Sequence, residues 1–173
     1  FSDSSMRFKV DTGCFDFNKW KKCINKVLTN CSHMLLSESD SQGESALRYE
    51  IAKYLYSFRG VSCSPDQVII SAGTQQTSQH LSRVLQDLDI YTVATETPGY
   101  APVTQIFRNN RFSIFEIPVL DDGIEIEKLP VNIPSAVYVN PSNQFPTGSV
   151  MPIGRRYDLL AWAEKNDSYI IED

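Results

Sequence analysis

Apolar residues recur at intervals of three and four in two early stretches of the chain, and gather into short unbroken runs after about residue 68. The first recurrence predicts an irregular arm, Phe8 to Phe15, followed by a helix that Asp16 or Asn18 caps. Trp20, Ile24, Val27 and Leu28 fall on one face of that helix. Ser37 to Gly43 is a polar loop. A second helix is predicted from about Ser45 to Phe58, with Leu47, Ile51, Tyr54, Leu55 and Phe58 as its apolar face and Gly60 as its stop.

From there the pattern alternates. Short apolar runs predict strands at Val68–Ile70, Tyr91–Thr95, Phe112–Val119, Ala136–Val139 and Tyr169–Ile171. Helical spacing intervenes at Thr74–Leu85, Val103–Asn109 and Ile153–Lys165, the last with Tyr157, Leu160, Ala161 and Trp162 inward. Evenly apolar strands between helices predict an α/β fold with a parallel or mixed sheet covered on both faces.

Composition narrows the function classes. The chain has 173 residues, 42% hydrophobic and 21% charged, ordinary for a globular protein. A net charge of −5 disfavours gripping nucleic acid directly. No apolar run is long enough to span a bilayer, and Phe1-Ser2-Asp3-Ser4-Ser5 lacks the basic-then-apolar pattern of a secretory leader. Cys14, Cys23, Cys31 and Cys63 show no C-x-x-C spacing, and His33 and His80 do not complete a zinc set. Reduced thiols in a cytoplasmic protein, with no metal, are the expectation.

In such sheets ligands bind beyond the carboxyl ends of the strands. Ser71-Ala72-Gly73-Thr74-Gln75 follows the first strand and opens a helix, which suits a phosphate; Thr74 as a plain helix cap is the competing reading. Glu96-Thr97-Pro98-Gly99-Tyr100 is a tight turn that presents an aromatic ring, either for stacking on a flat cofactor or for the core. Asn140 to Gly148 is a long turn stiffened by two prolines, either offering an amide donor or merely lying at the surface. Glu172-Asp173 puts a carboxylate at a strand end, to pair with a protonated ring nitrogen or to be solvated.

These motifs together resemble the pyridoxal 5'-phosphate (PLP) domain of MocR-type regulators in the GntR family. The resemblance rests on Leu47-Arg48-x-x-Ile51-Ala52-x-Tyr54-Leu55-x-x-x-Arg59-Gly60-Val61, Val68 to Gln76, Glu96 to Tyr100, Pro141-Ser142-Asn143-Gln144-Phe145-Pro146-Thr147-Gly148, Arg155-Arg156-x-x-Leu159-Leu160-x-Trp162-Ala163 and Ile170 to Asp173. They come in family order from about residue 43, and the Gln144-Phe145 insertion before Pro-Thr-Gly is the feature that points to the MocR type. Asn143 stands where that family usually has histidine, and Leu88-Asp89-Ile90 replaces its usual Pro-Gly-Asp turn.

What the resemblance implies can be stated residue by residue. The fold would be the large domain of PLP-dependent transferase fold type I, truncated: three α/β/α layers around a mixed, mainly parallel sheet, with residues 1–42 forming an arm, helix and loop and residues 43–173 part of the PLP-binding domain. Gly73, Thr74 and Gln75 would hold the cofactor phosphate, Tyr100 would stack on the pyridine ring, Asn143 or Gln144 would lie near its O3′ or the substrate, and Asp173 would pair with the ring nitrogen. The Schiff-base lysine is expected beyond Asp173, since Lys128 and Lys165 match no such motif. The implied function is the effector domain of a transcription regulator that binds an amino compound, acts as a homodimer and reaches DNA through a separate N-terminal winged helix. A genuine class I/II aminotransferase is the alternative, and an α/β domain without a cofactor the third reading.

Overall fold

The computed structural model describes residues 12–173. The chain divides into two compact units, one ending at Ile70 and the other Ser71–Asp173.

In the first unit, Thr12–Cys14 forms a short 3-10 turn, and the part of the expected arm before Thr12 lies outside the described residues. Helix α1, Phe17–Asn30, starts at Asp16, whose carboxylate accepts the Lys19 N–H at 2.9 Å, which decides between the two candidate caps. Trp20, Ile24, Val27 and Leu28 remain exposed on it. Helix α2, Ser45–Arg59, ends on Gly60 at φ 67°, a left-handed stop that glycine adopts without strain.

The inward face of α2 is not the expected one. Of the five expected, Leu47, Tyr54 and Phe58 are exposed and Ile51 and Leu55 only half-buried, whereas Arg48 and Ala52 are buried. Arg48 donates to the carbonyls of Gly43 (3.0 Å) and Pro65 (3.1 Å) and pairs with Asp40 and Asp66, tying the polar loop to the Pro65–Gln67 turn. A guanidinium so fully partnered tolerates an inward position, and it turns the helix accordingly. Val68–Ile70 forms no strand. Its Ile70 N–H donates to the Gln42 carbonyl at 2.9 Å, so the run is an extended segment laid on a loop rather than a rung of a sheet, and Ile69 is exposed.

The second unit is the α/β part. Helix α3, Thr74–Asp87, leads to β1 (Thr92–Thr97), α4 (Ala101–Asn109), β2 (Ser113–Leu120), β3 (Gly123–Ile124), β4 (Ala136–Val139), α5 (Ile153–Lys165) and β5 (Tyr169–Glu172). The sheet order is β3-β2-β1-β4-β5. All neighbours are parallel except β2 and the two-residue β3, which no sequence pattern announced. The fold is thus α/β with a mixed, mostly parallel sheet.

Alternation along the strands feeds two cores. Val93, Ala136 and Tyr138 join Val103 and Phe107 of α4 and Leu85 of α3 on one face. Ala94, Val137 and Val139 join Leu159, Trp162 and Ala163 of α5 on the other. This gives the three expected layers. On α5, however, Tyr157, Leu160 and Ala161 face outward, and only Trp162 of the expected four is buried. The Trp162 Nε1–H donates to the Pro130 carbonyl at 2.8 Å, which sets the helix rotation and brings Leu159 and Ala163 inward beside it. No helix among the described residues is long and apolar enough to cross a membrane.

Candidate functional site

The strand order reverses at β1. The chain leaves β1 for β2 and β3 on one side, then returns to β4 and β5 on the other. Such a switch point opens a crevice at the carboxyl ends of the two diverging strands. A cleft of about 120 Å³ lies there. That is near the cavity of about 150 Å³ that takes up benzene, so it suits a single aromatic ring.

Three of the residues expected at a site line this cleft: Thr74, Tyr100 and Asp173. Thr74 is the first residue of α3. The cap is Gly73, at φ 92°, with no side-chain hydrogen bond, so the reading of Thr74 as the cap does not hold. The start of α3 therefore offers backbone N–H groups and the positive end of its dipole without a side-chain acceptor of its own. Gly73 and Gln75 flank Thr74 on this turn, with Gln75 exposed.

Tyr100 sits at the N-terminus of α4, delivered by a turn that doubles back on β1. A Cβ at Gly99 would collide with the Glu96 carbonyl oxygen, so this return is open only to glycine. The half-buried ring packs against the core on the α3 and α4 side and also lines the cleft, and so serves both of its expected purposes.

Asp173 follows β5. Its N–H donates to the Val139 carbonyl at 3.0 Å, and Tyr138 is in register with Ile171. With a period of two, Asp173 returns to the face of Tyr138. The Tyr138 hydroxyl donates to Asp173 Oδ2 at 2.6 Å. Burial, reinforced by this hydrogen bond, pushes the phenol far above its ordinary range, so it remains a donor.

Asn143 does not reach the cleft. It is exposed on the Asn140–Gly148 turn, and its N–H donates to Asn140 Oδ1 at 3.2 Å. Asn140, at the end of β4, lines the cleft instead. Gln144 is buried but turned inward as a strut. Its Nε2 donates to Glu96 Oε2 (3.2 Å) and to the Pro98 carbonyl (2.8 Å), while its Oε1 accepts from the Thr147 N–H (3.1 Å) and hydroxyl (2.6 Å). This latch holds the turn against the end of β1 and leaves Phe145 at the cleft wall.

Glu96 is a cleft residue to which motif reading gave no role. It lines the cleft, is 8% exposed, and its Oε1 has no partner among the described residues. Burial raises its pKa, opposed by hydrogen bonds from Gln144 and the Asn140 backbone and reinforced by the charge of Asp173. Its signal in the sequence was its place: an acidic residue directly after the run Tyr91–Thr95 read as a strand. The cleft thus sets a helix N-terminus, an aromatic ring, an amide and a carboxylate around a ring-sized space. That set suits a flat ligand carrying an anionic group at one end and a basic nitrogen at the other.

Known proteins are similar to this chain in sequence and fold. Residues 5–173 match the family model for aminotransferase class I and II. The chain is 44% identical to the uncharacterized HTH-type transcriptional regulator YdeL of Bacillus subtilis, over 95% of this chain and 35% of that protein. It is 32% identical to the probable rhizopine catabolism regulatory protein MocR of Rhizobium meliloti, over 92% of this chain and 32% of that one. It therefore spans about a third of the length of these relatives. Among solved structures, an archaeal alanine:glyoxylate aminotransferase superposes with a TM-score of 0.84 at 27% identity, over 94% of this chain and 42% of that one. The α-aminoadipate aminotransferase LysN of Thermus thermophilus, solved with N-(5'-phosphopyridoxyl)-L-leucine, shares the fold at a TM-score of 0.78 and 23% identity, over 94% of this chain and 41% of its own. With the switch-point cleft, the strand order and a match along nearly the whole sequence in agreement, this chain belongs to the class I and II aminotransferase family.

Proposed function

We propose that the chain supplies part of the PLP site of an effector domain in a GntR/MocR-type transcription regulator, with residues 43–173 belonging to its large domain. The observation that carries this reading is the ranking of relatives: 44% identity to an HTH-type regulator against 27% to an aminotransferase of known structure. The whole protein would bind a small amino compound, form a homodimer, and contact DNA through a separate winged helix.

The residues fit the cofactor. Gly73, Thr74 and Gln75, at the uncapped start of α3, hold the phosphate with backbone N–H groups and the Thr74 hydroxyl. Tyr100 offers a face for the pyridine ring. Asn140, rather than the exposed Asn143, is the amide within the cleft for the ring's oxygen substituent. Asp173 pairs with the ring nitrogen and keeps it protonated. PLP so bound supplies an electron sink for a substrate's α-carbon. Phe145 and Tyr138 wall the space and keep water from the ring.

The test is a PLP titration of the full-length protein followed by absorbance. Saturable binding is expected, with Asp173→Ala raising Kd by about tenfold or more through loss of a charge-assisted hydrogen bond. Unchanged affinity in that variant refutes the assignment. A gel-shift assay with upstream DNA, responsive to an added amino compound, tests the regulatory half.

A further inference from the structure

Asp173 is held by two bonds of different kinds. Its backbone N–H is fixed to Val139, and among the described residues its side chain is fixed only by the Tyr138 hydroxyl, at 2.6 Å on Oδ2. Tyr138 itself has little freedom. It is 7% exposed, lies within the core cluster of Val93, Phe107 and Ala136, and sits on β4 between parallel neighbours on both sides. A rigid donor thus bears on a carboxylate that is otherwise exposed and free to rotate about its own χ angles. We propose that Tyr138 is the positioning residue of the cofactor site: its phenol occupies one oxygen of Asp173 and turns the other toward the ring nitrogen of PLP. This inference rests on the PLP reading above and adds to it a residue that the motifs did not single out.

The geometry separates this role from the two simpler ones. A tyrosine present only for packing has no need of its oxygen, since phenylalanine fills the same core volume; here the hydroxyl makes a short bond to a cleft carboxylate. A tyrosine that contacted the ligand directly through its hydroxyl would not have that hydrogen committed elsewhere. Burial and the bond to Asp173 raise the phenol's pKa, so it remains protonated and a donor. Fixing a carboxylate in advance removes an ordering cost from binding.

The experiment compares two ligands in the full-length protein: PLP and its 1-deaza analogue, in which a C–H replaces the ring nitrogen. Tyr138→Phe should raise Kd for PLP by about three- to tenfold, the share of a charge-assisted hydrogen bond that orientation supplies, and leave the analogue's Kd unchanged. In an Asp173→Asn background the same substitution should have no further effect on PLP. Equal weakening of both ligands, or no weakening of PLP, overturns the inference, because packing alone would act on both alike. A protein that binds PLP no better than the analogue before any substitution refutes the Asp173 pairing itself, and the inference with it. Should Tyr138→Phe not fold, 3-fluorotyrosine at position 138 keeps the shape and changes only the donor. The ratio of the two affinities should then shift, and an unshifted ratio overturns the inference.

Discussion

Gln144 and Asn143 are neighbours with similar amides, and the structure gives them opposite weights. Replacing Gln144 with alanine removes four hydrogen bonds at once. Two of them serve Thr147, which is exposed, so water replaces them at little cost. The Pro98 carbonyl lies at the surface side of the turn and loses about 1 kcal/mol of net hydrogen bonding. The Glu96 carboxyl is the costly partner. It is buried, one of its oxygens already lacks a partner among the described residues, and the substitution removes its side-chain donor and leaves it the Asn140 backbone, adding about 2 kcal/mol for a lost hydrogen bond to a charged group. The expected loss is about 3 kcal/mol, read as a fall of about 1–2 M in the urea midpoint. Because the Gln144 bond favours ionised Glu96, the loss should be greater at pH 8 than at pH 4. Asn143→Ala, at an exposed site, should stay within about 0.5 kcal/mol. A Gln144→Ala loss under about 1 kcal/mol, or an equal loss for Asn143→Ala, refutes the latch.

Two further outcomes test the same interior. The pKa of Glu96 is raised in the folded state above its ordinary 4.5, so the folded chain holds the proton more tightly than the unfolded one. Its contribution to stability is therefore full below that ordinary value and is lost as pH rises through the folded pKa. Glu96→Gln, which cannot ionise, should gain thermal stability relative to the unsubstituted protein as pH rises from 4 to 8, and parallel melting curves across that range would refute a buried acid. Arg48→Met keeps the length of the side chain but leaves the Gly43 and Pro65 carbonyls without their donor, which should cost about 2–3 kcal/mol and speed proteolysis within residues 37–43; an unchanged cleavage rate would show that the loop does not depend on Arg48.

The second unit was far more legible in sequence than the first. Its strands carry short apolar runs and lie between helices, so period and run length located β4 and α5 at their observed ends and set β1 and β2 within two residues. Val68–Ile70 has the same composition but lacks a neighbouring strand, and composition does not report a partner. The inward faces of α2 and α5 failed for a related reason. Hydrophobic spacing assumes that apolar residues win the interior, whereas Arg48 and Trp162 were placed by specific hydrogen bonds to carbonyls distant in sequence. At the site, motifs that end strands located Thr74, Tyr100 and Asp173, because a strand end is a local property. Glu96 acquires its importance from Gln144, 48 positions away, and Tyr138 from Asp173, 35 positions away, and nothing short of the fold brings those pairs together.

The cleft at the switch point is assembled from the start of α3, the end of β1, the turn before α4, the end of β4 with the turn that follows it, and the residue after β5. No two adjacent elements suffice to make it. A ligand seated there is therefore released by any opening that frees one of the five segments, and it resists all such openings together. Saturating ligand should slow amide hydrogen exchange throughout the central strands rather than in a ring around the site, so that a small molecule in a ring-sized space reports on, and stiffens, the entire sheet.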